Sequence, residues 1–213
     1  MAVELTDIAK KAGERYSSYA EEYVRIYWDD HSDQVYLDKF LRRIRKPGLI
    51  LDIGCGPGRE LRKLICAGYW AVGIDASEKM LQIAIKNNPA AKVYQMDASR
   101  LNFPNNYFDG AISLYVLDHL PTPRLLKSFS EIFRVLKNSA PFLLISCDGD
   151  FEGERRDFLA PSKTIFRNFK PVDWLVKALK KTGFSIYFSE VRKLPDIGLE
   201  DPAEKRSIII ATK

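Results

Sequence analysis

The sequence predicts an α/β fold built on a mostly parallel sheet with helices on both faces. Three observations carry that prediction. Apolar runs of strand length alternate along the middle of the chain with amphipathic stretches of helix length, the pattern of repeated βαβ units. The first run, Leu49 to Ile53, passes into glycines at alternate positions in Gly54-Cys55-Gly56-Pro57-Gly58 and then into a helical stretch. Several runs also deliver an aspartate at or near their C-terminal ends, and in a parallel sheet those ends share one crevice.

Composition bounds the rest. With 213 residues, 46% apolar and 29% charged, one domain with a substantial core is expected. No apolar run approaches the ~18 to 20 residues of a spanning helix, and charges such as Asp7, Lys10 and Lys11 crowd the N-terminus, so a cytoplasmic protein without a membrane partner is expected. Cys55, Cys66 and Cys147 are odd in number and lack CxxC spacing, which suggests reduced, packed thiols and neither a disulfide framework nor a metal site. The net charge of +5 is spread thinly along the chain. Its clusters, Arg42-Arg43-Arg45-Lys46 and Lys177-Lys180-Lys181, fall near predicted helix ends, where the helix dipole favours cations. Solvated faces explain the charge better than a nucleic-acid surface does.

In order, the chain opens with an aromatic helix. Tyr16, Tyr19, Ala20, Tyr23, Val24 and Tyr27 share one face, either as a core stripe or as cover for a ligand. A second helix runs from Asp33 to about Ile44, and Pro47-Gly48 closes it. After the glycines, Arg59 to Ala67 carries Leu61, Leu64 and Ile65 at helical spacing and stops at Gly68. Tyr69 to Ile74 reads as the second strand, ending at Asp75, and Ser77 caps a helix with Met80, Leu81, Ala84 and Ile85 on its inner face. Asp75 would face a ligand held by the glycine turn and could accept from a pair of sugar hydroxyls. Lys92 to Met96 is a third strand ending at Asp97, and Phe108 to Leu114 a fourth. Thr122 and Pro123 read as N-cap and first residue of a helix with Leu125, Leu126, Phe129, Ile132, Phe133 and Leu136 inside. Pro141 to Cys147 is strand five.

These residues carry a family resemblance. LDIGCGPG (51–58), GIDAS (73–77), QMDA (95–98), FDGAISLYVLDHL (108–120) and FSEIFRVLK (129–137) occur in the order found in class I S-adenosylmethionine-dependent methyltransferases, and the chain resembles that family across roughly 49–147. Gly183-Phe184 and Ser207 to Thr212 fit its remaining strands. The resemblance implies a Rossmann-like seven-stranded sheet with the last strand antiparallel. It also implies an N-terminal helical cap (1–46), a cofactor-binding core (47–147), a substrate-side insertion (148–170) and a C-terminal helix and strands (171–213). The family's proline and paired glycines before strand five are replaced by Lys137-Asn138-Ser139-Ala140-Pro141; Asn138 tolerates left-handed geometry, so the turn is expected to form.

The resemblance further implies S-adenosyl-L-methionine as cofactor and S-adenosyl-L-homocysteine as product. Asp52 and the turn of Gly54, Cys55 and Gly56 would surround the methionine part. Asp75 with Ala76 would hold the ribose, Met80 would lie against the adenine, and Asp97 with Ala98 would read the adenine edge. Ser113 and Leu114 would border the sulfonium, and Tyr23 of the aromatic helix would join the cofactor site. His119, with Asp118 and Tyr115, is the candidate base for a methyl acceptor that carries a proton.

The insertion, with Phe151, Phe158, Phe166 and Phe169, is expected to close over the substrate together with the aromatic helix, and Arg155, Arg156 or Arg167 could pair an anionic group. The favoured activity is methyl transfer to a small-molecule acceptor by a monomer or homodimer. A tRNA methyltransferase and a non-catalytic cofactor-binding protein are the alternatives. A dinucleotide-dependent oxidoreductase would place a third glycine where Arg59 stands.

Overall fold

A computed structural model describes residues 5–157, 159–193 and 205–213 of the chain. At its centre β1 (Leu49–Ile53) pairs in parallel with β2 (Trp70–Asp75) and with β4 (Gly110–Leu114). β3 (Lys92–Gln95) extends the sheet beyond β2 and β5 (Pro141–Cys147) beyond β4, again in parallel. β9 (Lys205–Thr212) runs antiparallel to β5, and β8 (Ser185–Lys193) completes the edge antiparallel to β9. The resulting order, β3-β2-β1-β4-β5-β9-β8, leaves the last strand of the chain as the reversed one, as expected.

Both faces of this sheet are covered, which is why its central strands read as continuous apolar runs. Ile50, Ile112, Leu143 and Ile145 point to one face and pack with α3 (Gln34–Leu41), α4 (Arg59–Cys66) and α5 (Glu78–Asn87). Their chain neighbours Leu51, Phe142 and Leu144 point to the other face, against α6 (Thr122–Val135) and α7 (Val172–Thr182). Ser77 caps α5 as expected, its hydroxyl accepting from the Met80 amide at 3.1 Å.

Five expectations are corrected. The aromatic helix is two helices, α1 (Asp7–Ser18) and α2 (Ala20–Tyr27), because Tyr19 leaves helical geometry at φ −134°, ψ 25°. The insertion is not a loop: β6 (Phe151–Arg156) and β7 (Thr164–Phe169) pair as an antiparallel hairpin, and its charges conceal a period-two alternation of exposure along β6. Phe158 lies outside the described residues. Thr122 is the first residue of α6 and not its cap; its amide and hydroxyl instead donate to Glu152 of the hairpin at 3.0 and 2.6 Å. The turn before β5 forms, but Ser139 rather than Asn138 takes the left-handed conformation, at φ 64°. Cys55 and Cys147 are buried, whereas Cys66 is exposed. No helix among the described residues is long and apolar enough to cross a membrane.

Candidate active site

The glycine turn is folded back over the end of β2 by the Gly54 and Cys55 amides, which donate to the Ile74 carbonyl at 2.7 and 2.9 Å. Its glycines serve different needs. Gly54, at φ 72°, packs where a Cβ would overlap the Val116 side chain, so it is required by the chain's own packing. Gly56, at φ 50°, has nothing within 4 Å of a Cβ position and leaves open space against the cleft.

Asp75 stands at the adjoining strand end. Its carboxylate accepts from the Gly56 amide at 2.9 Å and the Ser77 amide at 2.8 Å, and it lines the cleft. Burial raises the Asp75 pKa, against the pull of the Ser77, Gly56 and Ala76 amides. Asp52 lies beneath, 2% exposed, with Oδ2 buried and unpartnered. Burial first, then Glu60 and Asp75, push its carboxyl well above the usual range. Such a carboxyl suits an approaching cationic group.

Asp97, after β3, accepts from the Thr6 hydroxyl at 2.6 Å and from the Ser99 amide at 2.7 Å. Burial opposes its ionisation, but the bonds from Thr6 and Ser99 prevail and lower its pKa. Thr6 is the N-cap of α1, so the helix is fastened to one of the cleft's acids. Further along α1, a Cβ at Gly13 would lie 2.5 Å from the Ala76 carbonyl oxygen, and the Ser17 and Ser77 hydroxyls meet at 2.8 Å. The helix thus lies directly on the β2–α5 connection and roofs the cleft. Arg59, where a dinucleotide site would want glycine, sits 3.3 Å from Asp30 and donates to the Tyr27 carbonyl at 3.1 Å, tying the segment after α2 to the start of α4.

The cleft holds roughly 770 Å³ of space, part of it open to solvent. Of the expected site residues, Gly54, Gly56, Asp75, Ala76, Met80, Asp97, Ala98 and Leu114 line it, as do Tyr23, Tyr115 and His119. Asp52, Cys55, Ser113 and Asp118 are buried outside its lining. Tyr16, on the aromatic face read as core stripe or ligand cover, is a wall residue, while Ala9, Ala12 and Gly13 of the roof and Val116 were not expected from the sequence. The small residues at 9, 12 and 13, one helical turn apart, were the available signal.

On the far wall a 3-10 turn, Leu117–His119, follows β4 and is clasped by β7. His119 Nδ1 faces the Phe166 carbonyl at 3.2 Å, Arg167 Nη1 donates to His119 Nε2 at 2.8 Å, and the Asn168 amide group donates to the Leu120 carbonyl at 2.8 Å. A guanidinium cannot accept, so Nε2 is the bare nitrogen and Nδ1 carries the proton. Tyr16 brings its hydroxyl to the same Nε2 at 2.9 Å. Burial, with Arg167 adding, pushes the imidazole down to about 3 despite Asp118 and the Phe166 carbonyl. The Tyr115 hydroxyl is committed elsewhere, donating to Asp33 at 2.8 Å.

A second cavity lies between α1 and the hairpin. Lys11, Glu14, Arg15, Glu154, Lys163 and Phe166 are in its wall, and it shares Ala12 and His119 with the cleft. Arg15 spans it, donating to the Thr164 carbonyl at 3.1 Å and lying 3.6 Å from Asp157.

Comparison with known proteins agrees with this geometry. A family model described as a methyltransferase domain matches residues 50–139. An uncharacterised protein of Methanocaldococcus jannaschii is 29% identical over 83% of this chain and 77% of its own length. A Xenopus tropicalis tRNA (carboxymethyluridine(34)-5-O)-methyltransferase is 27% identical over 70% of this chain, which corresponds to 25% of that protein. Among solved structures, a Burkholderia thailandensis 1,6-didemethyltoxoflavin-N1-methyltransferase with bound S-adenosylhomocysteine superposes with TM-score 0.75 at 16% identity, over 100% of this chain and 93% of that one. The family match places a methyltransferase domain over residues 50–139, and the glycine turn and the acids at 75 and 97, at the strand ends of the Rossmann-like sheet, lie within it.

Proposed function

We propose that the chain transfers a methyl group to a small-molecule acceptor bound in the second cavity, with S-adenosylmethionine in the cleft. The observation that carries this reading is that the two spaces adjoin beneath the α1 roof, with Ala12 and His119 in the lining of both. Bound in the cleft, the cofactor supplies a methyl group activated by its sulfonium. Asp75 and Ala76 hold its ribose, Met80 covers the adenine and Asp97 with Ala98 reads the adenine edge. Gly54 and Gly56 take the methionine end above Asp52, with Cys55 and Ser113 buried behind the lining, and Leu114 and Tyr23 close the remaining sides. The fit rests on the unpartnered Asp52 oxygen and the open position at Gly56.

What this chain contributes is alignment and exclusion of water, the two effects a good leaving group most needs. Ala9, Ala12 and Gly13 lie over the cleft, while Tyr16 and His119 fix the wall between donor and acceptor. His119 is better suited to that wall than to proton removal, since Arg167 already donates to its free nitrogen. A small acceptor is favoured because the second cavity is walled by charges of both signs rather than by a basic stripe.

A screen for transfer of labelled methyl over metabolite and tRNA pools tests the reading. Label entering metabolites supports it; label confined to tRNA overturns it in favour of a nucleoside acceptor. Limited proteolysis adds a structural readout, because α1 and the hairpin should gain protection with S-adenosylmethionine and a cover with no such role should not.

A further inference from the structure

Every side chain at the junction of the two cavities that could take a proton is already committed. His119 Nε2 accepts from Arg167, and the Tyr16 hydroxyl is bonded to the same nitrogen. Tyr115 turns its hydroxyl to Asp33 on the opposite side. Asp118 is fully buried under Arg167 at 3.4 Å and lines neither cavity. An alcohol or a protonated amine arriving here would find no base.

Charge adds a second constraint. Two ion pairs bound this region, Arg15 with Asp157 and Arg167 with Asp118, and in both the carboxylate is the hidden member. Asp157 and Asp118 side chains are 2% and 0% exposed, whereas Arg15 and Arg167 keep 21% and 15%. Of the two, Arg15 is in the wall of the second cavity and presents guanidinium surface there, whereas Arg167 lies behind His119 with Nη1 bonded to both Asp118 and the imidazole. Lys11 and Lys163 add positive charge to the second cavity; Glu14 and Glu154, both exposed, oppose it at the same rim.

Resting on the donor and acceptor spaces assigned above, we propose that the acceptor's nucleophile is a carboxylate, methylated on oxygen without proton removal. The carboxylate oxygen bonds to the methyl carbon as the carbon–sulfur bond breaks and its electron pair passes to sulfur. The products are a neutral methyl ester and a thioether, with no proton released. Anion and cation are both extinguished as this bond forms, so an apolar surround favours the step. Ala9, Ala12, Leu114, Val116 and Leu120 supply that surround. A neutral amine would leave a charge behind in the same apolar space and a proton with nowhere to go.

The test uses the whole protein with S-adenosylhomocysteine, and phenylacetate and phenylacetamide as probes of matched shape. Calorimetry at pH 7 should give roughly tenfold or greater preference for the carboxylate, the value of a charged hydrogen bond. Arg15→Gln should erase most of that preference, and Lys163→Gln, an exposed cation of the same cavity that should weaken it, is the safeguard should the first unfold. Equal affinity for the two probes, or no binding of either, overturns the proposal. Nitrogen-15 spectra of the imidazoles give an independent readout. Facing His119 are Tyr16 from α1, Arg167 and the Phe166 carbonyl from β7, and Asp118 on its own turn. The ring should stay neutral with the proton on Nδ1 from pH 8 to 5, and titration near 6.5 overturns the argument. S-adenosylmethionine is titrated into the same sample: failure to bind sinks the donor assignment, whereas donor binding without carboxylate preference sinks the acceptor class alone.

Discussion

Replacing Gly13 by alanine should destabilise this protein, against the usual sign for a helix interior. At an ordinary helical position the change gains about 0.5–1 kcal/mol, because glycine loses more backbone freedom on folding. Here the new Cβ would lie 2.5 Å from the Ala76 oxygen, 2.7 Å from its carbonyl carbon and 3.1 Å from the Ser77 nitrogen, all backbone atoms. Reaching ordinary contact requires α1 to rise by nearly an ångström, and that displacement strains the 2.8 Å Ser17–Ser77 and 2.6 Å Thr6–Asp97 bonds. Overpacking of this kind costs about 1–3 kcal/mol, so the net change should be a loss of about 1–2 kcal/mol. For a chain of this size that lowers Tm by roughly 2–8 °C. Because the lifted helix is the roof of the cleft, S-adenosylmethionine affinity measured by calorimetry should fall as well, by roughly tenfold. A Gly13→Ala protein that melts higher and binds the donor normally would refute the account of α1 as a close-fitting roof.

Three further outcomes follow from the same geometry. Gly56→Val should abolish donor binding while costing only about 1–3 kcal/mol of stability, since the side chain meets open space but φ 50° strains a β-branched residue; retained affinity in calorimetry would remove Gly56 from the site. Thr6→Ala should cost about 1 kcal/mol through the lost cap of α1 and should raise the Asp97 pKa; carbon-13 titration of the carboxyl measures the second effect, and an unmoved Asp97 would count against the Thr6 contact. His119→Phe should alter how stability depends on pH. Burial and Arg167 hold the native imidazole down to about 3, while the unfolded ring titrates near its ordinary 6.5, so only the unfolded state gains the proton between those values. The histidine's contribution is complete above 6.5 and erodes as pH falls toward 3. Urea unfolding at pH 7 and pH 5 should therefore show the stability of the native protein falling relative to the variant by about 2 kcal/mol, and a constant difference would contradict the buried neutral ring.

The central layer was legible because its signals are local. Leu49–Ile53 is apolar but for Asp52 since both of its faces are covered, and Ser77 caps α5 through a hydroxyl three residues from the amide it receives. The acids at 75 and 97 could be placed at one edge because parallel strands put their C-terminal ends together. The hairpin was concealed for the opposite reason. Glu152, Glu154 and Arg156 face solvent while Phe151, Gly153 and Arg155 turn partly inward, so the alternation is of exposure and not of polarity.

The sequence by itself determined the alternation of core strands and helices, the glycine turn and the identity of the acids around it, because each depends on residues within a turn or a strand of one another. Only the tertiary structure decided which side chains became chemistry. The break at Tyr19, Gly13 settling on the Ala76 backbone, and Arg167 reaching His119 from 48 positions away all join segments distant in the chain. Arg167 is the sharpest case. In the sequence it is one of several surplus cations, and it becomes a partner of the His119 nitrogen because β7 pairs with β6 and lies across the turn after β4. That contact is set by packing, which local residue patterns do not encode.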